Sequence, residues 1–292
     1  MVKLSRGERI FEFFNYAFLI LLAVIFILPL LNVLVNSFIS EAEYARRGNF
    51  ILIPEQPVLS AYQFLLGRGS VVVNAYFITL FRVSVGTALN LLFTASLAYV
   101  LARRDLPGRT LLTLFVFITM VFSGGLIPTF ILVDTLGLID SPWVLIIPGL
   151  INPWFMLIMR NFFMALPQEL EEAAIVDGAG PATILFRIVL PLSLPSIATI
   201  GLFYAVAHWN AWFDAAIYLK DIHRMPVKVI LRSIIQQALM NDPEAFINIQ
   251  VMPPTVAIQS AMVVISTVPI LVVYPFLQKY FVKGALVGSI KG

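Results

Sequence analysis

Apolar residues run in long blocks along this chain, and the polar residues gather between those blocks. A helix that crosses a bilayer needs roughly 20 mostly apolar residues. Six blocks reach that length, at about residues 13–39, 73–102, 110–133, 141–163, 196–218 and 255–281. The pattern therefore predicts an all-α integral membrane protein whose six transmembrane helices form a single domain over residues 1–292.

Two of the predicted spans carry helix-breaking residues. Pro29 predicts a kink in the first span, and Gly124, Gly125 and Pro128 interrupt the third. A broken helix at membrane depth lines a cavity or lies buried within protein. For the third span, two interpretations of the break remain: it lines a solute path, or it is a kink that allows the helices to pack.

The distribution of Lys and Arg predicts that both termini lie in the cytoplasm. With the N-terminus inside, the inner segments hold eleven of these residues and the outer segments seven, while the short outer loop 134–140 holds none. Short cytoplasmic loops are enriched in Lys and Arg. The basic residues Lys3, Arg6 and Arg9 precede an apolar run longer than a signal-peptide core, so a retained first span is expected.

Composition narrows the class of protein further. The chain is 60% hydrophobic and 12% charged, whereas a soluble domain carries about 25% charged residues. The net charge of +3 is too small to indicate nucleic acid. The chain has no cysteine, and its two histidines, His208 and His223, lack ligand spacing. We expect no metal site and no catalytic constellation, which argues against a membrane enzyme.

One inner loop, residues 166–194, has a pattern of its own. Pro167 suits the first turn of a helix, acidic residues follow it, and Gly178 is a natural helix terminator. Gly180 and Pro181 predict a second short helix that ends before Pro191.

The first of these helices has the composition of a docking surface. Ala173 and Ala174 leave part of it without bulk, so a partner could approach the backbone closely. Leu170 and Ile175 add apolar contact. The pattern predicts a rigid elbow that fits a groove in another protein.

The order of these residues resembles a known motif. Glu172-Ala173-Ala174, three residues, Gly178, nine residues and then Ile188 to Pro191 is similar to the EAA loop of ABC importer permeases. Segments 123–128, 208–214 and 274–292 also resemble the maltose-type carbohydrate importers, closest to the branch for oligosaccharides and polysaccharides. The resemblance covers nearly the whole chain.

The resemblance implies a mechanism and a set of partners. A coupling helix would dock on a cytoplasmic ATPase and drive alternating access. The partners would be a second homologous permease, two ATPase subunits, an extracytoplasmic solute-binding protein and membrane lipid. No phosphate-binding glycine loop occurs, so ATP and Mg would be bound by the partner ATPase and this chain would hold no cofactor. The location would be the bacterial cytoplasmic (inner) membrane. The implied ATPase-coupling residues are Glu172, Ala173, Ala174, Gly178, Arg187, Ile188 and Pro191.

Polar and aromatic residues in the spans are candidates for a substrate path, because sugars stack on aromatic faces and bond to amides. An aromatic belt and helix-packing polar groups are the alternative. Arg82 is an intramembrane charge that is either functional or extended toward lipid headgroups, and Asp214 is expected to have a structural partner. The candidates are Arg82, Asn152, Trp154, His208, Trp209, Asn210 and Trp212.

Basic residues recur every four positions in the long outer loop, at Lys220, Arg224, Lys228 and Arg232. On one helix they would form a stripe that meets the binding protein or steers an anionic substrate. A solvated or lipid-facing surface is the alternative, and Pro226 weakens the stripe. An acidic carbohydrate is one option for the substrate. An ABC permease for another solute class and an ion-coupled secondary transporter remain as alternatives. The latter would need buried carboxylates, and only Asp214 lies near a span end.

Overall fold

The fold was derived from a computed structural model that describes residues 6–67, 69–240 and 256–289. Its side chains are described for residues 7–67, 69–236 and 256–273. The described part of the chain is helical and contains no strand, as predicted. The helices are α1 (Arg6–Asn36), α2 (Glu41–Arg47), α3 (Ser60–Leu66), α4 (Val71–Ala102), α5 (Arg109–Val121), α6 (Leu126–Thr135), α7 (Pro153–Met164), α8 (Gln168–Val176), α9 (Pro181–Ile184), α10 (Leu190–Leu192), α11 (Leu194–Asn210), α12 (Phe213–Tyr218), α13 (Val227–Met240) and α14 (Val256–Ser289).

Within residues 6–67, 69–240 and 256–289, three helices are long and apolar enough to cross a membrane: α1, α4 and the first 18 residues of α14. Three further candidates are bent pairs. They join α5 to α6 at 114°, the 3₁₀ segment Pro142–Gly149 to α7 at 52°, and Pro181–Leu192 to α11 at 86°. The part of the chain that the structure describes thus contains three candidate spans, or up to six if each pair is one span. The predicted six is the upper count.

Two span predictions change in detail. The third predicted span is broken between Val121 and Leu126, where the glycines interrupt the helix. The fifth was predicted to run to residue 218, but α11 ends at Asn210 because Ala211 is extended. The chain then restarts as the short helix α12.

One compact unit contains residues 1–70 and 231–268. Within it, the segment after α1 folds back through side-chain bonds. Asn32 donates to the carbonyl of Ile51 at 3.1 Å, and Asn36 donates to that of Asn49 at 3.4 Å. These two bonds hold residues 49–51 against the end of α1. The most apolar 18-residue window of α1 has no buried residue, so its side chains are available to lipid or to a partner.

The second unit contains residues 71–230 and 269–292, and α4 is its central helix. Helices α7 and α11 pack along α4. Small residues on α4, among them Ala75, Gly86 and Ala98, are buried and let neighbouring backbones approach closely. The core beneath α8 includes Met156, Met159 and Ile184. The prediction of one domain for the whole chain stays a prediction.

Candidate functional site

The elbow predicted in the inner loop is present as two short helices. Pro167 precedes α8, and Glu169 and Glu171 lie in its first turn, where the helix dipole favours negative charge. At the other end, the amide of Gly178 donates to Ile175 at 3.0 Å, and that of Ala179 donates to Ala174 at 2.9 Å. These two bonds are the Schellman pattern, which requires the left-handed φ of +81° that Gly178 adopts.

The two adjacent alanines of the elbow differ in burial. Ala174 is only 8% exposed and belongs to the core that includes Leu101 and Phe163, whereas Ala173 is exposed. The small side chain of Ala174 therefore lets α8 lie close to its own chain. Of the pair, only Ala173 remains open to a partner.

The outer surface of α8 carries Glu172 together with exposed apolar side chains. The exposed fractions are 42% for Leu170, 51% for Ile175 and 87% for Val176. The sequence analysis missed Val176. Val176 is the last residue of α8 before the Asp177-Gly178 turn, and it does not share the buried face of Ala174. Its place at the helix end is the signal that could have identified it.

The second helix of the elbow extends further than predicted. It was expected to end before Pro191, but it continues through a π turn at Leu185–Val189 to Leu192. The Leu190 amide bonds to the Leu185 carbonyl. Pro191 has no N–H for the carbonyl of Arg187, and a wider turn relieves the clash that its ring would make. Arg187 and Pro191 are exposed, and Ile188 is half-buried.

The turn after α4 lies beside α8, and a cavity of about 240 Å³ separates them. Arg103 and Asp105 line it, as do Glu171, Glu172 and Ile175. Arg103 donates to Asp105 at 3.0 and 2.8 Å. This bond lowers the pKa of Asp105 and raises the pKa of Arg103. Charge of both signs therefore borders the elbow.

A second polar group lies within the helices and contains two of the predicted path residues. The Arg82 guanidinium binds both carboxylate oxygens of Asp214, and its Nε donates to His208 Nδ1 at 3.3 Å. His208 Nε2 lies 2.7 Å from Asn90 Oδ1. The amide nitrogen of Asn90 donates to the carbonyls of Gly149 and Leu150 at 2.7 and 2.8 Å. We call these four side chains the polar network.

The hydrogen-bond roles in the polar network define the state of His208. Both bonds from the Asn90 nitrogen go to carbonyls, so its Oδ1 is an acceptor and His208 Nε2 must be the donor. Arg82 Nε can only donate, so His208 Nδ1 must accept. His208 is therefore neutral with its proton on Nε2. The network links α4 to α11, to α12 and to the break at Gly149.

The candidates for the substrate path differ in burial. Arg82, His208 and Trp209 are buried, Trp212 is half-buried, and Asn152, Trp154 and Asn210 are exposed. Asn152 caps α7 by accepting from the amides of Trp154 and Phe155. The Arg82 side chain is buried and pairs with Asp214, so it does not extend toward headgroups. Asp214 thus has a structural partner, as expected.

Three residues that the sequence analysis missed hold this region together. Asn90 is the hub of the network, and Gly86 leaves room for the His208 ring. The Tyr204 hydroxyl accepts from the Asn152 amide at 2.9 Å and lies 2.8 Å from Thr94 Oγ1. The presence of Asn90 inside an apolar span was the available signal, because buried amides join helices in membranes.

The four basic residues of the outer loop do not form the predicted stripe. Lys220 and Arg224 precede α13, and Lys228 and Arg232 lie on it. Pro226 begins a new segment, which separates the pairs. Arg224 forms ion pairs with Asp140 and Asp221. Contact of these residues with a binding protein remains a prediction.

Other predictions concern residues outside the described part. They include Lys3, Arg68, residues 241–255 and 290–292, and the side chains of the 274–289 tail. Among the described residues, no group of three or more His, Asp or Glu could hold a metal ion.

The described residues are helical and include several apolar candidate spans, which indicates an integral membrane protein, and the comparisons define its class. The chain belongs to the family of binding-protein-dependent transport system inner membrane components, whose profile matches residues 90–287. It is a multi-pass protein of the bacterial cytoplasmic membrane. The family is a component of binding-protein-dependent transport, which favours an ABC permease over the ion-coupled alternative, and it is not a family of catalytic enzymes.

Two of the similar proteins are described by a polysaccharide that they transport. The chain is 44% identical to the polygalacturonan/rhamnogalacturonan transport system permease protein YtcP of Bacillus subtilis (strain 168), over 98% of this chain and 99% of that protein. It is 42% identical to Protein LplC of the same organism, over 99% and 97%. Its fold matches a chain of a bacterial ABC transporter involved in the import of the acidic polysaccharide alginate. That match has a TM-score of 0.85 and 30% identity, and covers 96% of this chain and 100% of the other.

Proposed function

We propose that this chain is one half of the channel of an ABC importer that takes up oligosaccharides derived from acidic polysaccharides. Two similar proteins support the substrate class, since one is named for polygalacturonan transport and the other imports alginate. Both polymers carry carboxylates. A second permease, two ATPase subunits and an extracytoplasmic binding protein complete the importer.

The observation that carries the mechanism is the geometry of α8. One face of this helix is fixed to the core of its own chain through Ala174, and the other presents Glu172, Ala173 and Val176. A helix anchored on one face can transmit a displacement of its free face to the helices behind it. We propose that the free face docks on the ATPase and that nucleotide-driven closure moves the helices between inward-open and outward-open states.

The chain offers a clean test of its orientation because it has no cysteine. A single cysteine at exposed Ala173 should react with a membrane-impermeant maleimide only in inverted vesicles. A cysteine at Ile53, which is 76% exposed, should react only in right-side-out vesicles. Labelling of Ala173→Cys from the outside would contradict a cytoplasmic elbow.

The coupling role is tested in the assembled importer after reconstitution. Glu172→Lys should abolish transport and binding-protein-stimulated ATP hydrolysis while the complex still inserts in the membrane. Glu41→Lys reverses the charge of another acid on a short helix, on the predicted opposite side, and should transport normally. Normal transport by Glu172→Lys would contradict the docking role.

The substrate class is tested with the wild-type complex and its binding protein. Oligogalacturonates should stimulate ATP hydrolysis, and neutral oligosaccharides of the same length should not. Equal stimulation by both would contradict selectivity for acidic sugars, without affecting the coupling result.

A further inference from the structure

Two arginines converge on a surface groove between α5 and α7. Arg109 begins α5 and Arg160 lies on α7, and both line an open cavity of about 320 Å³. Among the described residues, no carboxylate forms a salt bridge with either. Two like charges that share one cavity repel each other, so an anion between them would stabilise both.

Arg109, which lines the groove, has one hydrogen-bond donor that is unused. Its Nη1 atom is buried and has no partner among the described residues. Arg160 uses its Nε to donate to the carbonyl of Leu101 at 2.9 Å, which fixes its position. An orphaned buried donor is destabilising unless something accepts from it. The groove therefore contains one positioned guanidinium and one with a free donor.

The start of α5 adds to the positive potential. Gly108 precedes the helix without providing a side-chain cap, and no acidic residue lies in the first turn. The Arg109 amide already donates to the Leu106 carbonyl at 3.3 Å, whereas Thr110, the next residue of the turn, lines the cavity. This helix end reinforces the arginine pair.

Apolar side chains form the rest of the groove. Leu114, Phe117 and Leu157 line the cavity beside the arginines. Leu114 and Phe117 are 50% and 49% exposed. A hydrated inorganic anion would gain nothing from this wall, whereas an acyl chain would bury apolar area against it.

We propose that the groove between α5 and α7 binds one anionic phospholipid, with its phosphate on Arg109 and Arg160 and an acyl chain along Leu114, Phe117 and Leu157. Basic pockets between membrane helices on the cytoplasmic side are a known form of lipid recognition. On the predicted orientation, both arginines lie on that side. The proposal does not depend on which sugar is transported.

The test measures lipid retention by the assembled importer. The complex is purified in detergent and titrated with phosphatidylglycerol or phosphatidylcholine, and bound lipid is counted by native mass spectrometry. The wild type should retain phosphatidylglycerol preferentially. Because one basic residue contributes about 1 kcal/mol to binding of an anionic lipid, Arg109→Gln and Arg160→Gln should each weaken binding roughly fivefold, and the double variant about thirtyfold.

Matched variants separate a specific site from general charge. Arg104→Gln removes an exposed arginine outside this groove, five positions before Arg109, and should leave retention unchanged. The double variant Arg109→Lys/Arg160→Lys keeps both charges and should retain most of the binding. If the double glutamine variant fails to assemble, the two single glutamine variants and the double lysine variant still report on the site.

Three results would overturn the proposal. The first is equal retention of phosphatidylglycerol by the wild type and by an assembled double glutamine variant. The second is displacement of the lipid by millimolar inorganic phosphate that then binds with the same arginine dependence, which would indicate a free-anion site. The third is an ion pair between these arginines and an acid of another subunit, detected by charge-reversal rescue in an importer that holds no lipid there.

Discussion

The guanidinium of Arg82 donates hydrogen bonds to both carboxylate oxygens of Asp214, a residue 132 positions later in the sequence. The Arg82 side chain is 4% exposed and that of Asp214 31%. The pair ties the short helix α12, which follows the break after α11, to the central helix α4. Because His208 and Asn90 continue the same chain of bonds to Gly149, one polar network connects α4 with α11, with α12 and with the break at Gly149.

Removing either partner of this pair should destabilise the protein strongly. Arg82→Gln leaves a carboxylate without its counter-ion, and Asp214→Asn leaves a buried guanidinium uncompensated. A broken buried pair costs about 3 kcal/mol or more. Thermal unfolding in detergent should show this loss. Arg46→Gln removes an exposed ion pair with Glu55 and should change stability by less than about 1 kcal/mol. Similar losses at both pairs would contradict the importance of burial.

Substitution of Gly86 should displace His208. A Cβ at this position would lie 2.7 Å from His208 Nε2, closer than any real contact of that kind. The ring must move away from Asn90, so we expect Gly86→Ala to destabilise the protein by about 1–3 kcal/mol. Gly124→Ala is the control, because its Cβ would meet only Pro128 at 3.7 Å. An unchanged melting temperature for Gly86→Ala would show that the ring relaxes without loss.

The bonds of Asp140, which lies between the third and fourth predicted spans, should make the stability of the protein sensitive to acid. The amides of Lys220 and Asp221 donate to its carboxylate, and with the nearby Arg224 they lower its pKa below the ordinary 3.8. A lowered folded-state pKa gives stability that is present above the ordinary value and is lost as pH falls through the lowered one.

Melting curves from about pH 6 to about pH 3 provide the measurement. The wild type should lose more stability over this range than Asp140→Asn, which cannot ionise there. Asp134→Asn removes a nearby surface acid that makes none of these bonds and should follow the wild type. Parallel curves for the wild type and Asp140→Asn would contradict the assignment.

The turn of the elbow should tolerate a side chain at one glycine and not at the other. Gly178 has φ of +81°, where an L-residue costs roughly 1–2 kcal/mol, whereas Gly180 has φ of −77° and open space at its Cβ. We expect Gly178→Ala to lower transport per ATP hydrolysed in reconstituted importer, and Gly180→Ala to behave as wild type. Equal coupling in the two variants would count against a rigid turn.

Local chemistry made much of the elbow predictable. Pro167, the acids after it and Gly178 indicate where α8 begins and ends, because capping and backbone preference act over a few neighbouring residues. The end of the second helix was not predictable in this way. Pro191 normally stops a helix, and only the π turn before it shows how the chain continues.

The burial of individual side chains also could not be predicted from neighbouring residues in the sequence. Ala173 and Ala174 are adjacent and identical in type, yet one is exposed and the other packs in the core. Which face of a helix is buried depends on the residues that pack against it. For α8 these include Leu101, which is more than 70 positions away in the sequence. Similarly, Arg82 alone did not reveal whether it would meet lipid, substrate or Asp214.

The sequence by itself determined the solvent, the helical class and the elbow, since the long apolar blocks require lipid and the caps act locally. Only the tertiary structure decided the partners of the buried polar groups, the faces of α8 and the convergence of Arg109 with Arg160. Hydrogen bonds and ion pairs between distant segments depend on distances of a few ångströms in space, and no pattern of neighbours along the chain encodes those distances directly.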